Sequence, residues 1–421
     1  MKVLVVGGGG REHAIIKALK KSERVKQLYA APGNGGISRD AECVPIKAAD
    51  IPGMTEFAAL NKIDYVVVAP DDPLALGMVD ALEAKGIRCF GPNKAAARIE
   101  SSKIFSKTLM KKYGIPTAAY ETFSDPDKAS DYVKDSTVFY PLVIKADGLA
   151  LGKGVIIAEN TIEALGAIDT IMREKKFGQS GTSVVIEEFL TGPEVSVLSF
   201  TDGKTVKPML SSMDHKRAFD GNKGPNTGGM GAIAPNPHYT DEIAAVCEKT
   251  IFLPTVSAME KEGCPFKGCL YFGLILTSRG PMVIEYNCRF GDPETQAVLP
   301  LLETDLLQIM EAVTDGKLDS VNINWSASHS ACIVLASGGY PDNYKTGLEI
   351  SGLDEDGGVN GAGVYHAGTK YENERFYTTG GRVLNVTACA PSIDTALEAA
   401  YNAASKINFE GIHYRKDIGK Y

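Results

Sequence analysis

The chain has 421 residues, 44% of them hydrophobic and 23% charged, which is too long for one ordinary core and predicts about three domains. A formal charge of −8, with no run of Lys and Arg to offset it, argues against a nucleic-acid or membrane-surface partner. The eight cysteines form no CxxC pair, and no segment reaches the roughly 18 apolar residues of a membrane helix, so reduced core thiols in a cytoplasmic protein are expected.

The first hundred residues alternate between two periods. Residues 2–6 (KVLVV) read as a buried strand and 12–20 as a helix with Ile15, Ile16 and Leu19 facing inward. Residues 27–30 and 65–69 read as further strands, and 74–85 as one helix stopped by Gly86. This βαβ alternation predicts a Rossmann-like parallel sheet with helices on both faces. A second unit opens with one long helix over 95–113, ended by Gly114 and Pro116. Short strands follow at 141–145, 155–158, 184–187 and 195–201, with a helix over 162–175, and their glycine turns point to an antiparallel layout. Residues 270–276 and 282–287 read as a hairpin turning through Arg279, Gly280 and Pro281. The last hundred residues read as strands at 331–335 and 364–368, a strand pair flanking Gly380 and Gly381, and a closing helix over 392–406. The fold class is therefore multidomain, α/β at the start and α+β thereafter.

Gly7, Gly8, Gly9 and Gly10 join the first strand to the first helix, and Arg11 adds a positive charge. Glycines let backbone approach a phosphate, and a helix start favours an anion. The dinucleotide fingerprint fails, because Glu12 stands where its third glycine belongs. A phosphorylated small molecule fits this loop better than NAD; a tight strand-to-helix turn would need the same glycines.

Lys145 ends an apolar strand and leads into a loop containing Gly148, Gly152, Lys153 and Gly154. A lysine entering a glycine-rich loop suits ATP phosphates, although the GKS or GKT ending of a P-loop is absent. An exposed hairpin turn is the plainer alternative. The strand over 184–190 (VVIEEFL) ends in Glu187, Glu188, Phe189 and Leu190, where backbone groups can pair with an adenine edge. In 282–287 (MVIEYN), Glu285 and Asn287 stand two apart and so share one strand face. Hard oxygens on one face suit Mg²⁺ bridging ATP phosphates. Arg289 follows on that face if the strand continues, where it can stabilise a transferring phosphoryl group or an oxyanion.

This order of strand, lysine, glycine-rich loop, EEFL and EYN resembles the ATP-grasp superfamily of carboxylate–amine ligases. Five stretches resemble its phosphoribosylamine–glycine ligase family: GGGGREHA from Gly7, APGNGG from Ala31, GPNKAAARIESSKIFSK from Gly91, DHKRAFDGNKGPNTGGMGA from Asp214 and EYNCRFGDPETQ from Glu285. The similarity runs through nearly the whole chain, to the stretch around residues 337–341. It implies an N-terminal domain over 1–100, an ATP-grasp domain over 101–310 with a small lid subdomain at about 118–192, and a β-rich C-terminal domain over 325–421. It also implies ligation of glycine to 5-phosphoribosylamine through glycyl phosphate, with ATP and Mg²⁺ or Mn²⁺, in purine biosynthesis.

Residue by residue, the resemblance implies that Lys103 and Lys145 contact ATP phosphates under the 148–154 loop. Glu187 to Leu190 line adenine, and Glu194 reaches the ribose. Glu285 and Asn287 hold the metal, and Arg289 faces the acyl phosphate. Gly9, Gly10 and Arg11, with Asp292 and Glu294, belong to substrate binding. Asp214, Lys216, Arg217 and Asp220 together supply both charges that a glycine zwitterion needs, with Asp214 and Lys216 expected to be catalytic. A transient contact with the enzyme that makes the unstable amine is a further implied partner.

Two departures stand out. The strand before EYN (YFGLIL, 271–276) lacks the extra acid many superfamily members carry there, so a second metal position would rest on Glu285 alone. Ala69 and Asp71 stand where Gly and Glu are expected. The rival readings are a carboxylase of the same superfamily, which predicts bicarbonate dependence, and an NAD-binding protein, which the failed fingerprint disfavours.

Overall fold

Residues 1–150 and 154–420 are described by the structure, a computed structural model. The opening strand Lys2–Gly7 is β-branched and apolar, and its side chains alternate between two cores. Leu4 and Val6 pack in one and Val3 and Val5 in the other, so helices cover both faces of the sheet. Five parallel strands lie in the order Glu42–Cys43, Gln27–Pro32, Lys2–Gly7, Tyr65–Val68, Cys89–Phe90. The connections reverse direction beside the opening strand. Residues after Gly7 and after Val68 therefore flank the crevice where such sheets bind ligands.

Two of the expected helices are broken. The helix expected over 74–85 is two, Asp71–Leu76 and Met78–Glu83, because Gly77 adopts φ +95° between them. The long helix expected over 95–113 is also two, Lys94–Ser101 and Lys103–Tyr113. Ser102 leaves the helical region and its side chain accepts from the Phe105 amide, capping a fresh helix start. That start points Lys103 at the glycine-rich loop.

Strands Tyr120–Phe123, Val184–Glu188, Leu142–Ala146 and Val155–Ala158 form an antiparallel sheet in that order. With helices Pro126–Lys134 and Thr161–Ile168 they enclose a separate core around Ile144, Ile168 and Ile186. A second antiparallel sheet runs Val206–Pro208, Glu194–Asp202, Lys267–Thr277, Gly280–Asn287. Its Val197 and Phe272 share a core with Leu4 and Val66 of the parallel sheet.

The C-terminal sheet has the order Met213–Asp214, Gly231–Ala234, His329–Ala336, Arg382–Ala390, Gly363–His366. The closing helix Ile393–Ala404, capped by Ser392, lies against it. The strands flanking Gly380 and Gly381 do not pair with each other. Arg375–Thr378 turns tightly through Asn373 and Glu374, both at positive φ, onto Thr369–Glu372, while Arg382–Ala390 enters the five-stranded sheet. Among the described residues, no helix is long and apolar enough to cross a membrane.

Candidate active site

Three lysines converge at the junction of the small sheet and the helix Lys103–Tyr113. The Asp147 carbonyl accepts from the Lys103 amide (2.9 Å) and its carboxylate from the Ile104 amide (2.8 Å), so the loop is tied to the helix start. Lys103 Nζ then donates to the Gly148 carbonyl at 3.2 Å. Lys145 Nζ lies 3.1 Å from Glu187 Oε2 and donates to the Ile284 carbonyl. Lys107 reaches the same Oε2 at 3.0 Å. Burial pushes its ammonium down to about 8, although Glu187 works against the shift. In the sequence, the one signal for Lys107 is its i+4 spacing from Lys103, which puts both on one helix face.

Glu187 was expected along the adenine. Its carboxylate lies between two ammonium groups, and its Oε1 is buried without a hydrogen-bond partner. The Glu188 carboxylate accepts from the Ala119 amide and from Arg279, and Phe189 is exposed. The Gly154 carbonyl accepts from the Ala146 amide, closing the strand pair below the loop. Gly152 and Lys153 lie outside the described residues.

Glu285 and Asn287 project from the strand Gly280–Asn287 on the face shared with Lys216. Lys216 Nζ lies 3.8 Å from Glu285 Oε1 and 3.3 Å from Glu194 Oε2. Burial opposes ionisation of Glu285, but Lys216, Lys145, Lys103 and Arg289 overcome it and hold its carboxyl below the ordinary value. An ionised carboxylate beside a carboxamide is a hard donor pair that fits Mg²⁺ or Mn²⁺. Among the described residues no cluster of three His, Cys, Asp or Glu side chains could hold an ion alone. Phosphate oxygens and water would have to complete its shell.

The strand ends at Asn287, and Arg289 lies beyond it. Its Nη2 pairs with Glu100 Oε1 at 3.0 Å, and Glu100 Oε2 accepts from the Cys288 amide. Burial works against this guanidinium, yet Glu100 and Asp71 hold it firmly charged. Burial likewise opposes Asp71, and Arg289 and Arg11 pull its carboxyl below the ordinary range. Asp71, one methylene short of the expected Glu, thus still joins the arginine cluster. Glu100 sits within a stretch quoted for the resemblance, but nothing local distinguished it from a solvated helix residue.

The four charged residues of the Asp214 stretch separate. Asp214 and Lys216 face the site. Arg217 Nη1 turns to the Gly224 carbonyl, and Asp220 accepts from the Lys416 amide. Burial, reinforced by Glu294, pushes the Asp214 carboxyl well up against the pull of Lys216 and Arg382. Asp214 Oδ1 is buried without a partner, and a Cβ on Gly229 would stand 2.6 Å from it. Buried Glu294 accepts from Tyr271 Oη at 3.0 Å, and Tyr271 Oη lies 2.7 Å from Ser196 Oγ.

Beside this cluster, a cavity of about 390 Å³ lies between the first and last domains. Gly8, Gly9, Asn34 and Asp292 line one side, and Gly368, Thr369 and Arg382 the other. Asp292 ties the walls together. It accepts from the Arg11 amide at 3.2 Å, pairs with Arg382 Nη1 at 3.2 Å and accepts from Gln296. The failure of the dinucleotide fingerprint at Glu12 has a structural reason: its carboxylate caps the helix by accepting from the Gly9 amide (2.6 Å), and it also accepts from Arg11 Nε (2.7 Å). Arg11 Nη1 donates to the Phe290 carbonyl, and Gly10 packs closely on Asn385 and Gln296.

Three family models described as phosphoribosylglycinamide synthetase match the chain: the N domain over residues 1–100, the ATP-grasp (A) domain over 101–295 and the C domain over 330–421. The chain belongs to the phosphoribosylglycinamide synthetase family. Family relatives include the phosphoribosylamine–glycine ligase of Caldanaerobacter subterraneus subsp. tengcongensis, 50% identical over 99% of both chains. The human trifunctional purine biosynthetic protein adenosine-3 is 46% identical over 99% of this chain and 42% of its own length. The crystal structure of the phosphoribosylamine–glycine ligase from Thermotoga maritima superposes with a TM-score of 0.86 at 35% identity, over 99% of this chain and all of that one. A biotin carboxylase domain from Hydrogenobacter thermophilus, at 18% identity and TM-score 0.75, shares the fold alone.

Proposed function

We propose that this protein ligates glycine to 5-phosphoribosylamine, converting ATP to ADP and phosphate and releasing glycinamide ribonucleotide. The observation that carries this reading is the convergence of Lys103, Lys145, Lys216 and Glu285 from four segments onto one space. A carboxylate resists amine attack because oxide is a poor leaving group. One glycine carboxylate oxygen attacks the γ-phosphorus, ADP departs, and the acyl carbon becomes electrophilic. The amine nitrogen then attacks that carbon and phosphate leaves.

Lys103 and Lys145 neutralise phosphate oxygens, while Glu187 spaces Lys145 from Lys107. Glu194 reaches the ribose, and backbone over 187–190 meets the adenine. Glu285 and Asn287 would hold Mg²⁺ or Mn²⁺, which supplies charge neutralisation across the phosphates. Lys216 holds the reacting carboxylate, Asp214 the glycine ammonium, and Arg289 faces the acyl phosphate. The cavity lined by Gly9, Asp292 and Arg382 takes the sugar phosphate, with the amine directed toward Asp214. Glycyl phosphate hydrolyses in water, so the lid over about 118–192 closes during turnover.

This assignment treats residues 1–100, 101–310 and 325–421 as the working domains, in a cytoplasmic enzyme. Free cysteines throughout support the compartment. The test is an ADP-release assay with each substrate omitted in turn. Release should require both glycine and phosphoribosylamine; undiminished release without glycine would overturn the reading.

A further inference from the structure

Among the described residues, the strands Arg217–Phe219 and Lys223–Asn226 pair only with each other. A lone two-stranded hairpin is marginally stable in water. Lys216 sits at its foot, separated from the edge strand Met213–Asp214 by His215. Asp214 is held in the five-stranded sheet by pairing with Ala232, and the Lys216 carbonyl accepts from the Thr227 amide (2.8 Å), but the hairpin beyond Lys216 lacks a third strand to steady it.

The segment over 413–419, which follows the closing helix, does so residue by residue. His413 Nε2 lies 2.7 Å from the Ala218 carbonyl, and the His413 ring meets Phe219 edge-on at 5.5 Å. Arg415 is only 2% exposed. Its Nη1 donates to the Arg217 carbonyl (3.1 Å), while Nε and Nη2 grip Asp417 with two bonds of 2.7 and 2.9 Å. Asp417 in turn accepts from the Gly221 amide (2.8 Å) at the hairpin tip, and Asp220 accepts from the Lys416 amide (2.8 Å).

The last contact reaches between the two site residues themselves. The Gly419 amide donates to His215 Nε2 at 3.0 Å. An Nε2 that accepts leaves the proton on Nδ1, which faces the Gly231 carbonyl at 3.4 Å. The segment is itself anchored, since Tyr401 Oη donates to the Arg415 carbonyl and accepts from the Ile418 amide.

We propose that residues 413–419, acting through Arg415 and His215, are the positioning element that sets Asp214 and Lys216 against the reacting carboxylate. The proposal rests on the site reading above. None of these residues touches the substrates; they act through the hairpin. A loosened hairpin displaces Lys216 while leaving Lys103, Lys145 and Glu187 in place, because those stand on other elements.

The test compares glycine kinetics with nucleotide affinity. Arg415→Lys loses the two-bond grip on Asp417, and His215→Leu loses the acceptor for Gly419. Both should lower kcat/KM for glycine by about 10²-fold, the scale of a misplacement near 1 Å, with ADP affinity by calorimetry unchanged. His215→Gln, whose amide oxygen can accept the Gly419 N–H, should retain most of the activity. Wild-type glycine kinetics in both Arg415→Lys and His215→Leu would overturn the proposal. So would an equal loss of ADP affinity, which marks general unfolding. Lys216→Ala, run in parallel, separates the two claims. If it is crippled while the segment variants are normal, only the positioning role fails. If it too is normal, the site reading fails and the proposal with it.

Discussion

The two halves of the site are built differently. The lysine half stands partly on a small sheet with its own core, which meets the rest of the molecule along the helix Lys103–Tyr113 and the edge of Gly280–Asn287. The other half, with Asp214, Arg289, Asp292 and Arg382, is tied across three domains by paired charges. A body with a separate core can shift as a unit, which suits closure over ATP. Charges buried at a junction cannot shift without losing their partners, which suits fixing an amino acid and an amine. The difference teaches that this chemistry needs a movable cover and an immovable floor.

The sharpest way to break that contrast is Arg382→Ala. It removes the partner of Asp292 and strips hydrogen bonds from the Gly228 and Asp292 carbonyls. A loss of about 3 kcal/mol in unfolding free energy is expected from denaturant titration. An unchanged midpoint would show that the floor does not depend on these ties.

Acid should act on the same half. Burial first, and then Arg415, pushes His215 down to about 4; burial, followed by His13, takes His366 to about 3. Both values lie below the ordinary 6.5, so the unfolded chain takes up protons first. Stability is full above pH 6.5 and falls as pH drops, by about 3 kcal/mol for His215 by pH 4. The lid region over 118–192 has no histidine. Urea unfolding at pH 7.5 and 5, followed by hydrogen exchange, should show junction amides losing protection while lid amides hold theirs.

Glu285→Ala probes the boundary between the halves. It should lower turnover by about 10²-fold or more through loss of a metal ligand. Wild-type rates at saturating magnesium would remove that assignment. The smallest effect is expected on the lysine half from Lys107→Met. Losing one charged partner of Glu187 should weaken ADP binding about tenfold and cost about 1 kcal/mol of stability, less than Arg382→Ala, because Lys145 still pairs with Glu187. A stability loss matching that of Arg382→Ala would erase the distinction between cover and floor.

Local pattern carried the elements well where periodicity was strong. The strands around Lys145 and Glu285 needed only apolar alternation and glycine stops. It failed at Gly77 and Ser102, where one residue splits a helix that the flanking periodicity would continue. The site lysines were legible because Lys145 sits at a strand end before glycines. Lys107, Glu100 and Arg382 were not, because each is defined by a charge partner distant in the chain: Glu187, Arg289 and Asp292.

By itself, then, the sequence determined the parallel opening sheet, the antiparallel units after it and the pairing of Glu285 with Asn287 on one face. Those follow from side-chain period and turn chemistry, which act over a few residues. Only the tertiary structure decided that Glu187 spaces two lysines, that Arg217 and Asp220 turn away from the site while Lys216 stays, and that Glu12, which breaks the dinucleotide fingerprint, caps the first helix. Burial and long-range charge pairing set those outcomes, and neither can be read from neighbours in the chain.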